Sequence, residues 1–416
     1  MTDASASMPS ALDLPADRDA ISRLSGVPRV FKLSLRLLLN FKTGSLTVAL
    51  PDGRRLRFGD GSAPTALISV HDYAMVRRVI ASGDVGFAES YMQGQWSSPD
   101  LAAVLQVFSA NLDQIGHLAR GKGPLTKFAN WVYHRLRSNT KRQAKKNIEA
   151  HYDLGNAFYE LWLDPSMTYS AARWADPSQT LEAAQQEKYA ALARAMDLRP
   201  GHSVLEIGCG WGGFAEYAAK EAGAQVTCLT LSPSQRDYAM ARMERLGLSD
   251  RVEIRLQDYR DEVGRYDRVA SIEMFEAVGE EYWPSYFDKI AEVLEPGGRA
   301  GLQIITIEDR LFESYRSRTD FIQRYIFPGG ALPSVERLDG QFARAGLTLD
   351  RAEMFALDYA RTLKEWRRAF LSRWDRIAPM GFDERFRRMW EFYLGYCEAG
   401  FRTGRIDVGQ FTLAKA

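Results

Sequence analysis

The chain has 416 residues, enough for two domains with separate cores, and is 46% hydrophobic and 26% charged, the balance of a soluble globular protein. A formal net charge of +1 argues against a general nucleic-acid binder. The three cysteines, Cys209, Cys228 and Cys397, have neither metal-ligand spacing nor the density of a disulfide scaffold, so no metal is expected and a reducing compartment is.

The opening MTDASASMPSALDLPADRDA is acidic and rich in small residues, with no basic stretch leading into an apolar one. It reads as a disordered leader over residues 1–25 rather than a secretory signal. A small mixed α/β domain is expected over 26–113. In it, SLTVALPDGRRLRFGDG alternates apolar and polar residues around Asp52-Gly53, a hairpin pattern. HDYAMVRRVIASGDVGFAESYMQGQW reads as a helix followed by a glycine-punctuated loop.

Between Gln114 and Ile148 there are nine Lys or Arg and no Asp or Glu, with Phe128, Trp131, Tyr133 and Leu136 interleaved. A solvated linker helix accounts for such a segment. So does an interfacial helix on anionic lipid. No run of about 18 apolar residues exists to span a bilayer, so the expected location is the cytoplasm, with peripheral attachment to the inner face of the membrane.

From residue 149 onward, strands alternate with helices. SVLEIGCG, QVTCLTLS, VEIRLQDY, YDRVASI and GRAGLQIITI are five strands separated by helical patterns such as FAEYAAKEAG and SQRDYAMARMERLG. This predicts a doubly wound, Rossmann-like α/β sheet over 149–416. The first strand ends in Glu206-Ile207-Gly208-Cys209-Gly210-Trp211-Gly212-Gly213, with spacing E-x-G-x-G-x-G and no P-loop Lys-Ser/Thr after it. That favours a nucleoside cofactor without a pyrophosphate, S-adenosylmethionine, with its ammonium near Glu206 and adenine served by Asp258 and Tyr259. The fourth strand runs into SIEMFEAVG (271–279), where Glu273 and Glu276 stand among apolar neighbours.

The chain resembles the cyclopropane-fatty-acid synthase family of methyltransferases. The resemblance rests on HYDLGNAFYELWLD (151–164), MTYSAARW (167–174), VLEIGCGWGG (204–213), LTLSPSQ (229–235), QDYRD (257–261), MFEAVG (274–279), YIFPGGALPS (325–334) and DYARTL (358–363), with GDVGFAESYMQGQW (83–96) similar to the family's N-terminal signature. It implies a class I methyltransferase domain with acyl-tunnel insertions; Phe321, Tyr325, Ile326 and Phe327 are readable as tunnel lining and equally as core packing. The implied reaction is methyl transfer from S-adenosylmethionine to the double bond of an unsaturated acyl chain in a membrane phospholipid, ending in a cyclopropane. A methyl-branched unsaturated chain is the alternative, and a non-catalytic lipid-binding protein a more remote one. The small N-terminal domain would present a lipid-binding surface or a homodimer contact.

The resemblance also implies cofactor contacts at Tyr169, Ser170, Gly208, Gly210, Thr230, Leu231, Ser232, Gln235 and Tyr259. Of these, Tyr169 and Tyr259 are equally readable as core aromatics and Ser232 as a helix cap. In the family, a bound bicarbonate is the base, gripped by a Cys, a Glu, a His, a Tyr and a backbone amide. Glu276 and Tyr359 match the Glu and Tyr, and Ile305 the amide. Ala171 stands at the Cys position and Gln303 at the His position. Glu273 stands where many members have Gly. It is expected to stabilise the cation or support the site from behind, with a structural ion pair as the alternative.

Overall fold

The computed structural model describes residues 13–119 and 154–416. From residue 120 onward the basic segment lies outside the described residues, as do residues 1–12 of the expected leader. The described chain forms two units. One comprises residues 13–119 and Asp383–Thr403, the other residues 154–382 and 404–416.

The first unit is built on a five-stranded sheet of order β1-β3-β2-β4-β5, with β1 Asp13–Pro15, β2 Ser45–Ala49, β3 Arg55–Gly59, β4 Thr65–Val70 and β5 Trp96–Ser97. The expected hairpin is β2–β3, paired from Ser45↔Gly59 to Ala49↔Arg55, and Gly53 takes φ +87° in its turn. Three expectations are corrected here. Residues 13–25 are structured: β1 pairs with β3, and Asp17 caps the helix Arg18–Arg23 that buries Ile21. One buried isoleucine in a polar stretch gives no periodicity to read.

The glycine-punctuated stretch after residue 82 is not a loop. The helix Met75–Met92 runs through it with a kink at Gly83, and a Cβ on Gly86 would lie 2.0 Å from the Arg78 carbonyl oxygen. Glycine there permits close backbone approach. Finally, residues 149–416 are not one continuous domain. The helix Glu384–Arg402 belongs to the first unit, where Tyr91 donates to Glu391 at 2.8 Å and Gly395 lets the backbone of Ala102 come close. Its apolar face, from Trp390 to Phe401, shows that it is buried but not against what.

The second unit holds a seven-stranded sheet of order β11-β12-β10-β9-β6-β7-β8. Its strands are β6 Ser203–Ile207, β7 Gln225–Thr230, β8 Val252–Leu256, β9 Tyr266–Ile272, β10 Leu294–Ile307, β11 Leu347–Met354 and β12 Ile406–Lys415. The five expected strands are β6 to β10, all parallel, and β12 inserts antiparallel between β10 and β11. Side chains alternate between the two faces. Leu205 and Ile207 join the core that contains Trp283, Phe287 and Ile290, while Val204 joins the core of Leu192, Phe214 and Ala215.

Arg242, on the helix Pro233–Arg245, is 6% exposed and pins two loops above the sheet. Its Nε donates to Glu216 at 2.7 Å, and one terminal nitrogen donates to the Ser166 and Trp211 carbonyls at 2.7 and 3.3 Å. Removing one partner of a buried charge pair costs about 3 kcal/mol or more. Arg242→Ala is expected to lower the denaturant midpoint of the second unit accordingly; an unchanged midpoint in urea unfolding would contradict this reading.

Candidate active site

The strand order changes direction at β6, between β7 and β9, and ligands of open α/β sheets bind at the carboxyl edge there. The glycine turn after β6 is held by the Gly208 and Cys209 N–H groups, which donate to the Leu229 carbonyl at 2.9 and 3.1 Å. Gly208 has φ +83°, and a Cβ on it would lie 2.6 Å from Met274 Cγ, so glycine lets the loop after β9 close onto the turn. A Cβ on Gly210 (φ +53°) would meet nothing within 4 Å, which leaves its backbone approachable by a ligand.

At the end of β7, Thr230 Oγ1 accepts from the Ser232 N–H at 3.2 Å and donates to Gln235 Oε1 at 3.3 Å. Ser232 Oγ caps the Pro233–Arg245 helix by accepting from the Gln235 N–H. Leu231 lies between them. At the end of β8, Asp258 accepts from the Arg260 guanidinium at 2.8 and 2.6 Å, and Tyr259 packs edge-on against Tyr286. Tyr169 packs with Tyr159, Trp162 and Trp366 at ring-centroid distances of 5.3–5.6 Å. Open backbone, polar edges and aromatic surface of this kind are what an adenosyl cofactor would need.

Glu206 lies in β6, just ahead of the glycine turn. It is 3% exposed, on the β6 face that carries Val204, and its carboxyl accepts from the Cys228 thiol at 3.5 Å. Burial pushes its pKa up to about 7, against the Cys228 contact and the nearby Lys188 and Arg242 charges.

The two glutamates of the β9 loop have contrasting partners. Glu273 Oε1 accepts from the Ala171 N–H at 2.8 Å and the Gln303 amide at 2.7 Å, and its Oε2 accepts from the Tyr359 hydroxyl at 2.6 Å. Burial raises its pKa, while Tyr359, Ala171, Lys188 and Gln303 oppose the rise. Glu276 Oε1 accepts the Ile305 N–H at 2.6 Å, but its buried Oε2 has no hydrogen-bond partner among the described residues. Burial, then the Glu273 charge, pushes Glu276 up to about 8. The environments differ: three donors oppose the upward shift at Glu273, whereas the Ile305 N–H alone meets the side chain of Glu276. The segment YIFPGGALPS closes over this loop, the Ala331 N–H donating to the Glu276 carbonyl at 2.8 Å.

Several working residues escaped the sequence reading. The register places Gln410 of β12 directly across from Gln303 of β10, and Glu353 of β11 across from Gln410. Arg173 donates to Glu353 at 2.7 Å and to Gln410 Oε1 at 3.1 Å. Arginine only donates, so the Gln410 oxygen faces it and the Gln410 amide donates to Gln303 Oε1 at 3.1 Å. The Gln303 amide is thereby turned toward Glu273 and the Ala171 carbonyl. Lys188, fully buried, donates to Ser170 Oγ at 2.6 Å with its ammonium 4.5 Å from the Tyr189 ring centre. Burial lowers its pKa to about 7, against the pull of Glu273, Asp164 and Glu206. In EKYAALARA the lysine looks like any helix-surface cation.

The family's bicarbonate does not fit this arrangement. Of the groups expected to grip it, the Tyr359 hydroxyl and the Gln303 amide point at Glu273 and the Ile305 N–H at Glu276. A second anion there would lie against two carboxyl groups.

A carboxyl whose folded pKa is raised above its unfolded value of 4.5 costs stability as pH climbs from that value to the folded one, about 8 for Glu276. Glu276→Gln removes this loss and keeps an acceptor for Ile305. The variant is expected to gain stability over the parent as pH rises from 4.5 to 8, by at most about 5 kcal/mol, with no gain below pH 4.5. Thermal melts across that window check it; a gain independent of pH would contradict the assignment.

The family model of mycolic acid cyclopropane synthetases matches residues 139–411. A tuberculostearic acid methyltransferase of Mycobacterium tuberculosis is 40% identical over 382 residues, covering 89% of this chain and 88% of the relative. The cyclopropane-fatty-acyl-phospholipid synthase of Escherichia coli is 36% identical over 358 residues, 86% of this chain and 89% of that one. Among solved structures, a cyclopropane synthase from Mycobacterium tuberculosis aligns with TM-score 0.62 and 33% identity, covering 65% of this chain and 98% of its own. A mycolic acid cyclopropane synthase complexed with SAH and CTAB aligns with TM-score 0.62 and 31% identity, at the same coverages. The glycine turn, the strand order and these matches agree: the chain belongs to the mycolic acid cyclopropane synthetase family and is an S-adenosylmethionine-dependent methyltransferase.

Proposed function

We propose that the protein methylates the cis double bond of unsaturated acyl chains carried by membrane phospholipids. The observation that carries this reading is a buried carboxylate beside aromatic faces. Glu273 accepts from Tyr359, Tyr359 packs against Trp366 at 6.1 Å, and Trp366 packs against Tyr169 at 5.3 Å. An isolated alkene offers no acidic proton and no polar handle. What its methylation demands of an enzyme is stabilisation of a cation in a dry pocket, which negative charge and ring faces supply most strongly when water is excluded. S-adenosylmethionine supplies the electrophilic methyl group.

The phospholipid carrier is supported by the likeness to the Escherichia coli synthase, named for fatty-acyl-phospholipids. None of the described helices is long and apolar enough to cross a membrane, and in this reading the enzyme works from the membrane surface. The nine cations between Gln114 and Ile148 would favour an anionic one, each contributing about 1 kcal/mol near it.

Two products follow from one cation. Loss of a proton from the added methyl closes a cyclopropane, the leading reading. Loss from a neighbouring chain carbon gives a methyl-branched unsaturated chain, a reading favoured by the 40% identity to a tuberculostearic acid methyltransferase. The test is incubation of the purified protein with S-adenosylmethionine and vesicles of mono-unsaturated phosphatidylglycerol, followed by gas chromatography with mass detection of the acyl esters. One added carbon per chain is expected, absent with saturated lipid and reduced at high salt as the charges are screened. Methylation of free fatty acid but not of vesicle lipid would overturn the phospholipid reading.

A further inference from the structure

We propose that the Glu273 carboxylate is itself the base that removes the proton from the methylated acyl cation, in the place of a bound bicarbonate. The proposal rests on the methyl-transfer reading above and names the group that completes it. Three independent donors from separate elements converge on this one side chain: the Ala171 N–H ahead of the helix Leu181–Ala195, the Gln303 amide on β10 and the Tyr359 hydroxyl on the helix Ala356–Ser372. Gln303 and Tyr359 occupy positions that would otherwise hold the free anion, and here they hold a carboxylate tethered to the chain.

The backbone supports the same conclusion. Glu273 has φ +51°, a left-handed conformation that glycine takes freely and glutamate takes at a cost of about 1–3 kcal/mol. The conformation is fixed by the Glu273 N–H, which donates to the Gln303 carbonyl at 2.8 Å. A strained carboxylate held at the end of a central strand by donors aimed from three sides is a positioned group, and its partners are not the cations of a structural ion pair.

The chemistry balances without a further reactant. The alkene π pair forms the bond to the methyl carbon, the C–S pair stays on sulfur, and a chain carbon becomes cationic. A carboxylate oxygen of Glu273 then takes a proton. The released C–H pair closes the three-membered ring or forms a new C=C bond, and the charge is cancelled. Oε1 already accepts two hydrogen bonds and Oε2 only one, so Oε2 retains the lone pair for the proton. Glu276, whose Oε2 meets no donor among the described residues, and Lys188, which donates to Ser170, are less suited to the task.

The test measures turnover on unsaturated phospholipid vesicles in buffer purged of carbon dioxide, then with bicarbonate or formate added back. Wild-type turnover is expected to be unaffected by the purge. Glu273→Gly, which relieves the positive φ, is expected to lose ~10²-fold or more in the purged buffer and to regain activity with formate or bicarbonate seated on the vacated donors. Glu273→Gln, which fills the space with a neutral amide, should be equally slow and beyond rescue. S-adenosylmethionine affinity by calorimetry should be unchanged in both variants, separating loss of the base from loss of the fold. Tyr359→Phe removes one donor from the carboxylate and should move the acid limb of the pH–rate profile to higher pH. A wild-type rate that collapses on purging, a Glu273→Gly variant as fast as wild type in purged buffer, or rescue of both variants or of neither, overturns the proposal. Absence of any methylated lipid from the wild type refutes instead the methyl-transfer reading beneath it.

Discussion

The proposed active centre depends on keeping one buried carboxylate, Glu273, ionised. Removing a carboxylate from water costs several kcal/mol even after relaxation. Hydrogen bonds to a charged group each contribute about 1.5–3 kcal/mol, so the three donors on Glu273 are of the size required. Glu276, in the same loop, receives only the Ile305 N–H on its side chain, and burial pushes its pKa up to about 8. Two like residues close in sequence thus meet different surroundings, three donors on one carboxyl and one on the other.

That difference reaches far from the loop. The polarity of the Gln303 amide is set by Gln410, that of Gln410 by Arg173, and Arg173 is fixed by Glu353. The row runs across β10, β12 and β11, so the outer, antiparallel part of the sheet orients the donor that faces the reacting region. On the other side, Gly208 admits Met274 against the cofactor turn and brings the β9 loop to the same edge. Catalytic geometry here is a property of strand register as much as of any single side chain.

The parallel half of the sheet was legible because β6 to β10 carry apolar strands punctuated by glycine turns and amphipathic helices. The motif segments located the cofactor edge and both glutamates. What stayed hidden depended on distance along the chain. β11 and β12 have partners that no local pattern names, so the Gln303–Gln410–Arg173 row could not be foreseen, and Gln303 read only as a lost histidine. Lys188 sits in a helix whose periodicity permits a buried face but does not reveal Ser170 beneath it. Glu276 was marked by its place after the fourth strand and by its family position, while the three donors on Glu273 come from segments distant in the chain.

The most direct measurement of this claim is infrared difference spectroscopy of the protein at neutral pH, comparing wild type with Glu273→Gln and with Glu276→Gln. The account predicts that Glu273→Gln removes a carboxylate band and Glu276→Gln removes a protonated carboxyl band. Loss of a protonated carboxyl band from Glu273→Gln would mean that Glu273 is neutral in the resting enzyme, and it would contradict the account at its centre.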